Sequence, residues 1–272
     1  MGSPGCAERL ASGGDDGNIK LWPEDGTGEP VVLSHGSLVS SLAVLADERL
    51  ASGGYDGRIK IWPNDGTGEP TVFSHGSQVL SLTVLKDGRL ASGGLDGRIK
   101  LWPREGTGEP MVLSQSSQVL SLAVPKDGRL ASGGDDGKIK LWPNEGMGEP
   151  VVLLQSSQVL SLAVLKDGRL ASGGDNGKIR LWPRAGTGEP VVLARGSPVR
   201  GLAVLGNGRL ASGSDDGTIR LWLVDEQKLT AALCLRASRN LRKAEWARYI
   251  GADTPRQPSC RGRPSNWRTI DP

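Results

Sequence analysis

Residues 78–113, QVLSLTVLKDGRLASGGLDGRIKLWPREGTGEPMVL, carry four short apolar runs separated by polar, glycine-bearing breaks. QVLSLTVL is apolar and partly β-branched, RLASGG is a short second run, RIKLW alternates apolar with polar, and PMVL closes the unit. KDG and LDG between the first three runs have turn chemistry, and REGTGE is a Gly-rich loop. The pattern predicts strands of about four to eight residues in an antiparallel meander.

The unit recurs at a constant spacing of forty residues. RLASGGDDGKIKLWP at 129–143 has near copies at 9–23, 49–63, 89–103, 169–183 and 209–222, and residues 81–120 match residues 121–160 at 32 of 40 positions. Near copies predict near-identical interfaces between successive sheets. A single four-stranded sheet cannot cover its own apolar faces, so the units stack, and sheets of this length close radially into a β-propeller that shields most strand edges. The expected fold is all-β, with six four-stranded antiparallel blades and a short C-terminal helical tail. The first blade lacks its inner strand in this count, because MGSPGCA does not resemble the VLSLAVLKD run expected ahead of ERLASGG. Six of the eight Trp fall at 22, 62, 102, 142, 182 and 222, one per repeat, which marks them as recurring core anchors.

The expected division is a propeller over 1–234 and a basic tail over 235–272. With 272 residues the chain has enough length for a sizeable core. Charge separates its parts: residues 233–272 hold nine Lys/Arg against three Asp/Glu, leaving 24 against 27 in residues 1–232. Within the tail, SRNLRKAEWARYIG reads as a helix with Trp246, Tyr249 and Ile250 on one face and Gly251 as its stop. A basic helix of this kind suits an anionic surface; the favoured reading instead docks its aromatic face on the propeller with its charges solvated. Three irregularly spaced Cys, at 6, 234 and 260, give neither a disulfide framework nor a zinc pattern, and a reducing, cytoplasmic setting is expected. No apolar stretch reads as a secretory signal or a membrane span.

On these features the chain resembles the WD-repeat β-propellers, whose repeats of about forty residues carry Gly-His near one end and Trp-Asp near the other. Here SHG stands at 34–36 and 74–76, and Trp-Pro replaces Trp-Asp in five repeats, with Trp222-Leu223 in the sixth. The resemblance covers about residues 8–234. It implies a structural tetrad in each blade: a His ahead of the first strand, a Ser in the second, an Asp in the following turn and the Trp of the third. The matching positions are His35, Ser52, Asp56 and Trp62, then His75, Ser92, Asp96 and Trp102. Later sets depart from it: Gln115 with Ser132, Asp136 and Trp142; Gln155 with Ser172, Asn176 and Trp182; Arg195 with Ser212, Asp216 and Trp222. The tail resembles the short ending behind WD-repeat arrays of large bacterial proteins that carry signalling ATPase or kinase domains.

Ser, His and Asp together invite a hydrolase reading, because a base beside a hydroxyl activates a nucleophile. Against it, a buried indole N–H needs an acceptor, and a hydroxyl that supplies one is occupied. The His is also replaced by Gln or Arg in three of the five sets, which catalysis does not tolerate and structure does. GTG at 26–28 and its counterparts lack the spacing of a phosphate loop. GGDDGN at 13–18 lacks the alternating ligands and closing Glu of a calcium loop, and Asp16-Gly17 reads as a hairpin turn. No catalytic residue, metal site or cofactor is therefore expected.

Where near copies disagree, functional information should sit. The residue before each turn Asp reads Asp15, Tyr55, Leu95, Asp135, Asp175, Asp215; the residue after the first-strand Val reads Ser40, Leu80, Leu120, Leu160, Arg200; the one before that Val reads Leu38, Gln78, Gln118, Gln158, Pro198. In the proteins this chain resembles, these columns line one face around the channel and contact partners. Tyr55, Leu80, Leu95, Leu120 and Leu160 then form an apolar arc, continued by Asp135, Asp175, Asp215 and Arg200. Two readings of the Leu column stand: a protein-binding patch, or filling of the channel wall. The leading expectation is a non-catalytic scaffold for protein partners, without a small-molecule substrate, membrane or nucleic acid, and the sensor end of a bacterial signalling protein. The alternative is a structural or neutral product of repeat amplification, or a fragment of a longer protein, with no ligand of its own.

Overall fold

Every copy of the pattern folds around the same tight turn. In the second repeat Gly57 takes φ of 77°, where a side chain is disfavoured, and its N–H donates to Gly54 O at 3.1 Å. The preceding Asp56 accepts the Arg58 N–H on Oδ1 at 3.0 Å. A short carboxylate that caps its own turn, followed by glycine, reverses the chain and lets two strands pair. The computed structural model describes residues 10–23, 27–64, 66, 68–104, 106, 108–144, 148–184, 186, 188–194 and 196–225.

The fold is a six-bladed β-propeller of mostly four-stranded antiparallel sheets, with no helix among the described residues. The first blade has three strands, β1 (Leu10–Gly13), β2 (Asn18–Trp22) and β3 (Val31–Ser34). The second contains β4 (Val39–Val44), β5 (Leu50–Gly54), β6 (Arg58–Trp62) and β7 (Thr71–Ser74); the third β8 (Val79–Val84), β9 (Leu90–Gly94), β10 (Arg98–Trp102) and β11 (Met111–Ser114). β12 (Val119–Ala123) to β15 (Val151–Leu154), with β13 (Leu130–Gly134) and β14 (Lys138–Trp142) between, make the fourth. The fifth holds β16 (Val159–Val164), β17 (Leu170–Gly174), β18 (Lys178–Trp182) and β19 (Val191–Ala194). β20 (Val199–Val204), β21 (Leu210–Ser214) and β22 (Ile219–Trp222) form the last, three-stranded sheet. Its expected outer strand and the tail helix with Trp246, Tyr249 and Ile250 lie outside the described residues.

Strand order within a blade follows chain order, innermost first. From the first to the fourth blade, the strand ending in Trp turns its aliphatic residues towards the next blade, which answers with Val, Leu and Trp. Ile19, Leu21 and Leu33 thus pack with Val39, Leu50 and Trp62, and Ile99, Leu101 and Leu113 with Val119, Leu122, Leu130 and Trp142. Phe73 stacks on Trp102 of the following blade with ring centroids 5.2 Å apart. A second device joins the inner strands, whose outer edges would otherwise be unpaired. The Leu82 N–H donates to Ser41 Oγ at 2.9 Å, and Leu122 to Ser81, Leu162 to Ser121 and Leu202 to Ser161 each at 3.0 Å. One serine on each of β4, β8, β12 and β16 thereby caps the edge of the following inner strand.

The described residues divide into two compact units, 10–204 with 211–220, and 205–210 with 221–225. In the second, the Leu205 N–H donates to Arg209 O at 2.9 Å and Asn207 Oδ1 accepts the Arg209 N–H at 3.0 Å, another side-chain-capped turn.

Blades approach each other closely at the first glycine of the LASGG strand ends. A Cβ on Gly53 would lie 2.5 Å from Val79 Cγ1, whereas one on Gly213 would meet nothing within 4 Å. Gly53→Ala is therefore expected to lower stability by about 1–3 kcal/mol through overpacking. Gly213→Ala should leave the thermal midpoint nearly unchanged, and thermal denaturation of the two variants checks the contrast.

Candidate functional site

Two places bring together the side chains singled out in the sequence. The first is buried. In the second blade the Trp62 indole N–H donates to Ser52 Oγ at 2.8 Å, and the same oxygen lies 2.8 Å from His35 Nδ1. His35 Nε2 then approaches Asp56 Oδ1 at 3.4 Å. Since an indole only donates, Ser52 accepts from Trp62 and gives its own proton to Nδ1, which leaves the imidazole proton on Nε2 facing Asp56. The third blade repeats this with Trp102 to Ser92 at 2.8 Å, Ser92 to His75 Nδ1 at 2.8 Å and His75 Nε2 at 3.5 Å from Asp96.

In the next two blades glutamine takes the place of the ring. Trp142 donates to Ser132 at 2.7 Å and Ser132 to Gln115 Oε1; Trp182 donates to Ser172 at 2.8 Å and Ser172 to Gln155 Oε1. A carboxamide oxygen accepts the serine proton as Nδ1 does. Gln115 and Gln155 turn their amide N–H groups to the carbonyls of Lys138 and Gln158 instead of to the turn residue, at 3.5 and 3.3 Å. Asp136 and Asn176 hold the turn, each accepting an N–H two residues on at 3.1 Å, and Asp136 also pairs with Lys138 Nζ at 3.3 Å. In the remaining set Ser212 is buried, and Arg195 lies outside the described residues.

This arrangement has the parts of a nucleophilic relay without its access. His35, Ser52, His75 and Ser92 are at most 1 % exposed, and each hydroxyl already accepts an indole N–H. Burial holds both imidazoles below their ordinary pKa of 6.5, against the opposing pull of Asp56 and Asp96. Among the described residues no group of three or more His, Cys, Asp or Glu is placed to hold a metal, and no helix is long and apolar enough to cross a membrane.

The second place is at one end of the blades. There the main chain joins two of the variable columns: the N–H of Tyr55 donates to Leu38 O at 3.0 Å, that of Leu95 to Gln78 O at 2.9 Å, that of Asp135 to Gln118 O at 3.2 Å and that of Asp215 to Pro198 O at 3.2 Å. The third column sits on a β-bulge. Pairing of inner with second strand slips between Val39 and Ser41, Val79 and Ser81, Val119 and Ser121, and Val159 and Ser161. Ser40, Leu80, Leu120 and Leu160 are thus extra residues, released from the ladder and re-aimed by it.

Tyr55 and Leu95 are 43 % and 37 % exposed, while Leu80, Leu120 and Leu160 are half-buried. Ser40 is turned inward, donating to carbonyl oxygens of Gly53 and Val79. The acidic arc is partly internally paired: Asp135 accepts from Gln158, and Asp215 forms a two-pronged ion pair with Arg200 at 2.7 and 2.9 Å. That hydrogen bond holds the Asp215 carboxyl below its usual range, and Asp175 stands exposed. Sequence reasoning did not identify the inter-blade serines Ser41, Ser81, Ser121 and Ser161. A polar residue recurring in an otherwise apolar inner strand was their signal.

A family model described as WD domain, G-beta repeat matches residues 4–23, 28–63, 68–103, 110–143, 148–183 and 189–222. No curated protein matches the chain. Among solved structures, a chain in a crystal structure of a mitotic checkpoint complex superposes with a TM-score of 0.73 at 22% sequence identity, over 80% of this chain and 72% of that one. At that identity the likeness concerns the fold.

Removing the shared acceptor strands the buried Trp102 N–H. Ser92→Ala is expected to cost about 1–3 kcal/mol and lower the thermal midpoint. The histidines set a pH dependence. Unfolded imidazoles take up protons near pH 6.5 and the folded ones only at lower pH, so the unfolded state binds more protons below 6.5 and stability falls as pH drops through that value. His35→Gln/His75→Gln, which copies the neighbouring blades, should fold and lose this part of the dependence between about pH 7 and 5 in denaturant titrations.

Proposed function

We propose that this chain, a member of the WD domain, G-beta repeat family, is a non-catalytic scaffold that binds protein partners at the blade end carrying Tyr55, Leu80, Leu95, Leu120 and Leu160. The family is generally non-catalytic and its propellers typically bind proteins. One observation carries the choice of surface: the bulge releases a column that differs between repeats, Ser40 against Leu80, Leu120 and Leu160, beside the column held by the Tyr55 and Leu95 main-chain bonds. An exposed tyrosine and leucine flanked by half-buried leucines suit the apolar centre of a partner interface, and Asp135, Asp175 and Asp215 with Arg200 supply a charged rim.

Enzymatic activity has no support in the relay, whose hydroxyls are buried and engaged. The acidic arc argues against nucleic acid at this end, because phosphates seek Lys and Arg. The resemblance of the tail to the ending of bacterial signalling proteins supports a cytoplasmic regulatory part of such a protein as the setting, with the propeller over 1–234 as its binding domain.

Tyr55→Ala/Leu95→Ala removes the two exposed anchors without touching the buried relay. Partners captured by the wild-type chain should be lost from this variant at an unchanged thermal midpoint. Retention of every partner would remove this surface from consideration.

A further inference from the structure

The end of the blades opposite Tyr55 and Leu95 carries the turns from inner to second strand. One residue of that turn reads Ala46, Lys86, Lys126, Lys166 and Gly206, so the third, fourth and fifth blades carry a lysine where the flanking copies have none. All three lysines are exposed, yet two of them are fixed in place: Lys86 Nζ donates to the Lys126 carbonyl, and Lys126 Nζ to the Lys166 carbonyl, each reaching the next blade. An ammonium so held uses one of its three N–H donors on the main chain and keeps the others for solvent or a ligand.

Two arginines extend the row. Arg184 and Lys126 converge over the Gly168 turn, where a Cβ would lie 3.5 Å from Arg184 Nε and 3.6 Å from Lys126 Cδ, and Arg104 lies over Gly88 in the same way, with Nε 3.3 Å from the Cβ position. The acids of these turns are already engaged. Asp87, Asp127 and Asp167 accept Nε–H of the arginine two residues on at 2.7, 2.8 and 2.8 Å, and its main-chain N–H at 3.0, 3.1 and 3.0 Å. Burial would raise the Asp127 and Asp167 carboxyls, but the bonds to Arg129 and Arg169, with Lys86 and Arg184 adding at longer range, hold both below the ordinary value. Each Asp is thus matched by an arginine, and the lysine is left over. Among the described residues Lys86, Lys126, Arg104 and Arg184 form no ion pair. Glu105, next to Arg104, lies outside the described residues, and its counterpart beside Arg184 is Ala185.

We propose that this row binds an acidic segment of a partner protein, an extended run of Asp or Glu laid along the turns of the third, fourth and fifth blades. The cations are set out blade by blade instead of converging on one point, which suits several carboxylates on one chain and not a single phosphate. A nucleic acid would need ring faces on which to stack its bases, and Trp102, Trp142 and Trp182 are 4–6 % exposed. The Asp beside each lysine also opposes a continuous phosphate backbone, whereas a peptide can set its main-chain N–H groups against it. The chain's own ends do not supply the segment: residues 233–272 hold nine Lys/Arg against three Asp/Glu, and residues 1–9 one of each. Lysines already fixed on neighbouring carbonyls lose little freedom on binding, and their joint field speeds encounter and is screened by salt. This surface is separate from the Tyr55 and Leu95 columns and does not depend on them.

The test uses the full chain and a labelled octaglutamate peptide, followed by fluorescence anisotropy in low-salt buffer. Saturable 1:1 binding is expected, weakening about tenfold or more as ionic strength rises to physiological values. Lys86→Ala/Lys126→Ala/Arg184→Ala should weaken it by about tenfold or more with the thermal midpoint retained, since all three side chains are exposed. The charge-keeping variant Lys86→Arg/Lys126→Arg/Arg184→Lys should preserve most of the binding, and Tyr55→Ala/Leu95→Ala and the tail variant Arg242→Ala/Lys243→Ala should bind as the wild type does. Absence of saturable binding overturns the proposal, as does full binding by the triple alanine variant. Loss of binding in the tail variant assigns the contact to the tail and equally overturns it. An oligothymidylate of the same charge that binds more tightly than the peptide, and is lost in the triple alanine variant, marks a nucleic-acid surface instead. Sedimentation at the same low salt covers the remaining case: oligomers of the free chain that the triple alanine variant does not form assign the row to the acidic end of a second copy and reject a partner's segment.

Discussion

Each of the second to fifth blades buries one indole against the blade before it, and an indole cannot be buried without somewhere to put its N–H. That constraint organises the rest of the fold. The ring packs into the apolar cluster between sheets, so truncating it would cost on the order of 3–5 kcal/mol. Its N–H demands an acceptor in a place water does not reach, and Ser52 and its counterparts provide it from the neighbouring strand. The serine proton then needs an acceptor of its own, which draws in His35 or Gln115 from the loop ahead of the inner strand. A packing decision is thereby converted into a positional one: the loop is pinned, the inner strand enters at a set height, and the next blade is placed.

The relay explains why histidine and glutamine alternate freely. What the serine requires is a lone pair at the right distance, and Nδ1 and a carboxamide oxygen both offer one. The second imidazole nitrogen adds the approach to Asp56, a contact the glutamine blades forgo. The histidines thus add a charge-linked pH dependence to a structure that stands without it. The same reasoning separates this constellation from a catalytic one with the same atoms, because a nucleophile must be reachable as well as activated.

Rigidity of the frame also decides where variation is tolerated. Strand interiors carry the inter-blade serines and the Gly–Val approaches, which leave little freedom: a single methyl at Gly53 already meets Val79. The bulge residues and those before the turn aspartates are exempt, since the main chain fixes their position whichever side chain they carry. Those are the positions at which Tyr, Leu, Asp and Arg interchange, and that freedom makes the blade end a reasonable contact surface.

The forty-residue period, the strand content and the turns at Asp-Gly were legible in the sequence, because each depends on residues within one repeat and the copies repeat the signal, whereas the pairing of Trp with Ser was implied by the resemblance to WD-repeat propellers. The replacement of His75 by Gln115 was legible as a structural exchange for the same reason. The bulges at Leu80, Leu120 and Leu160 were not, since VLSLTV reads as an uninterrupted alternating strand and only pairing shows the extra residue. Nor was the bond from Leu82 to Ser41, which joins residues of different blades. One-dimensional pattern specifies what each repeat is made of, while the exposure of a given copy depends on which neighbour covers it, and that is a property of three-dimensional packing alone.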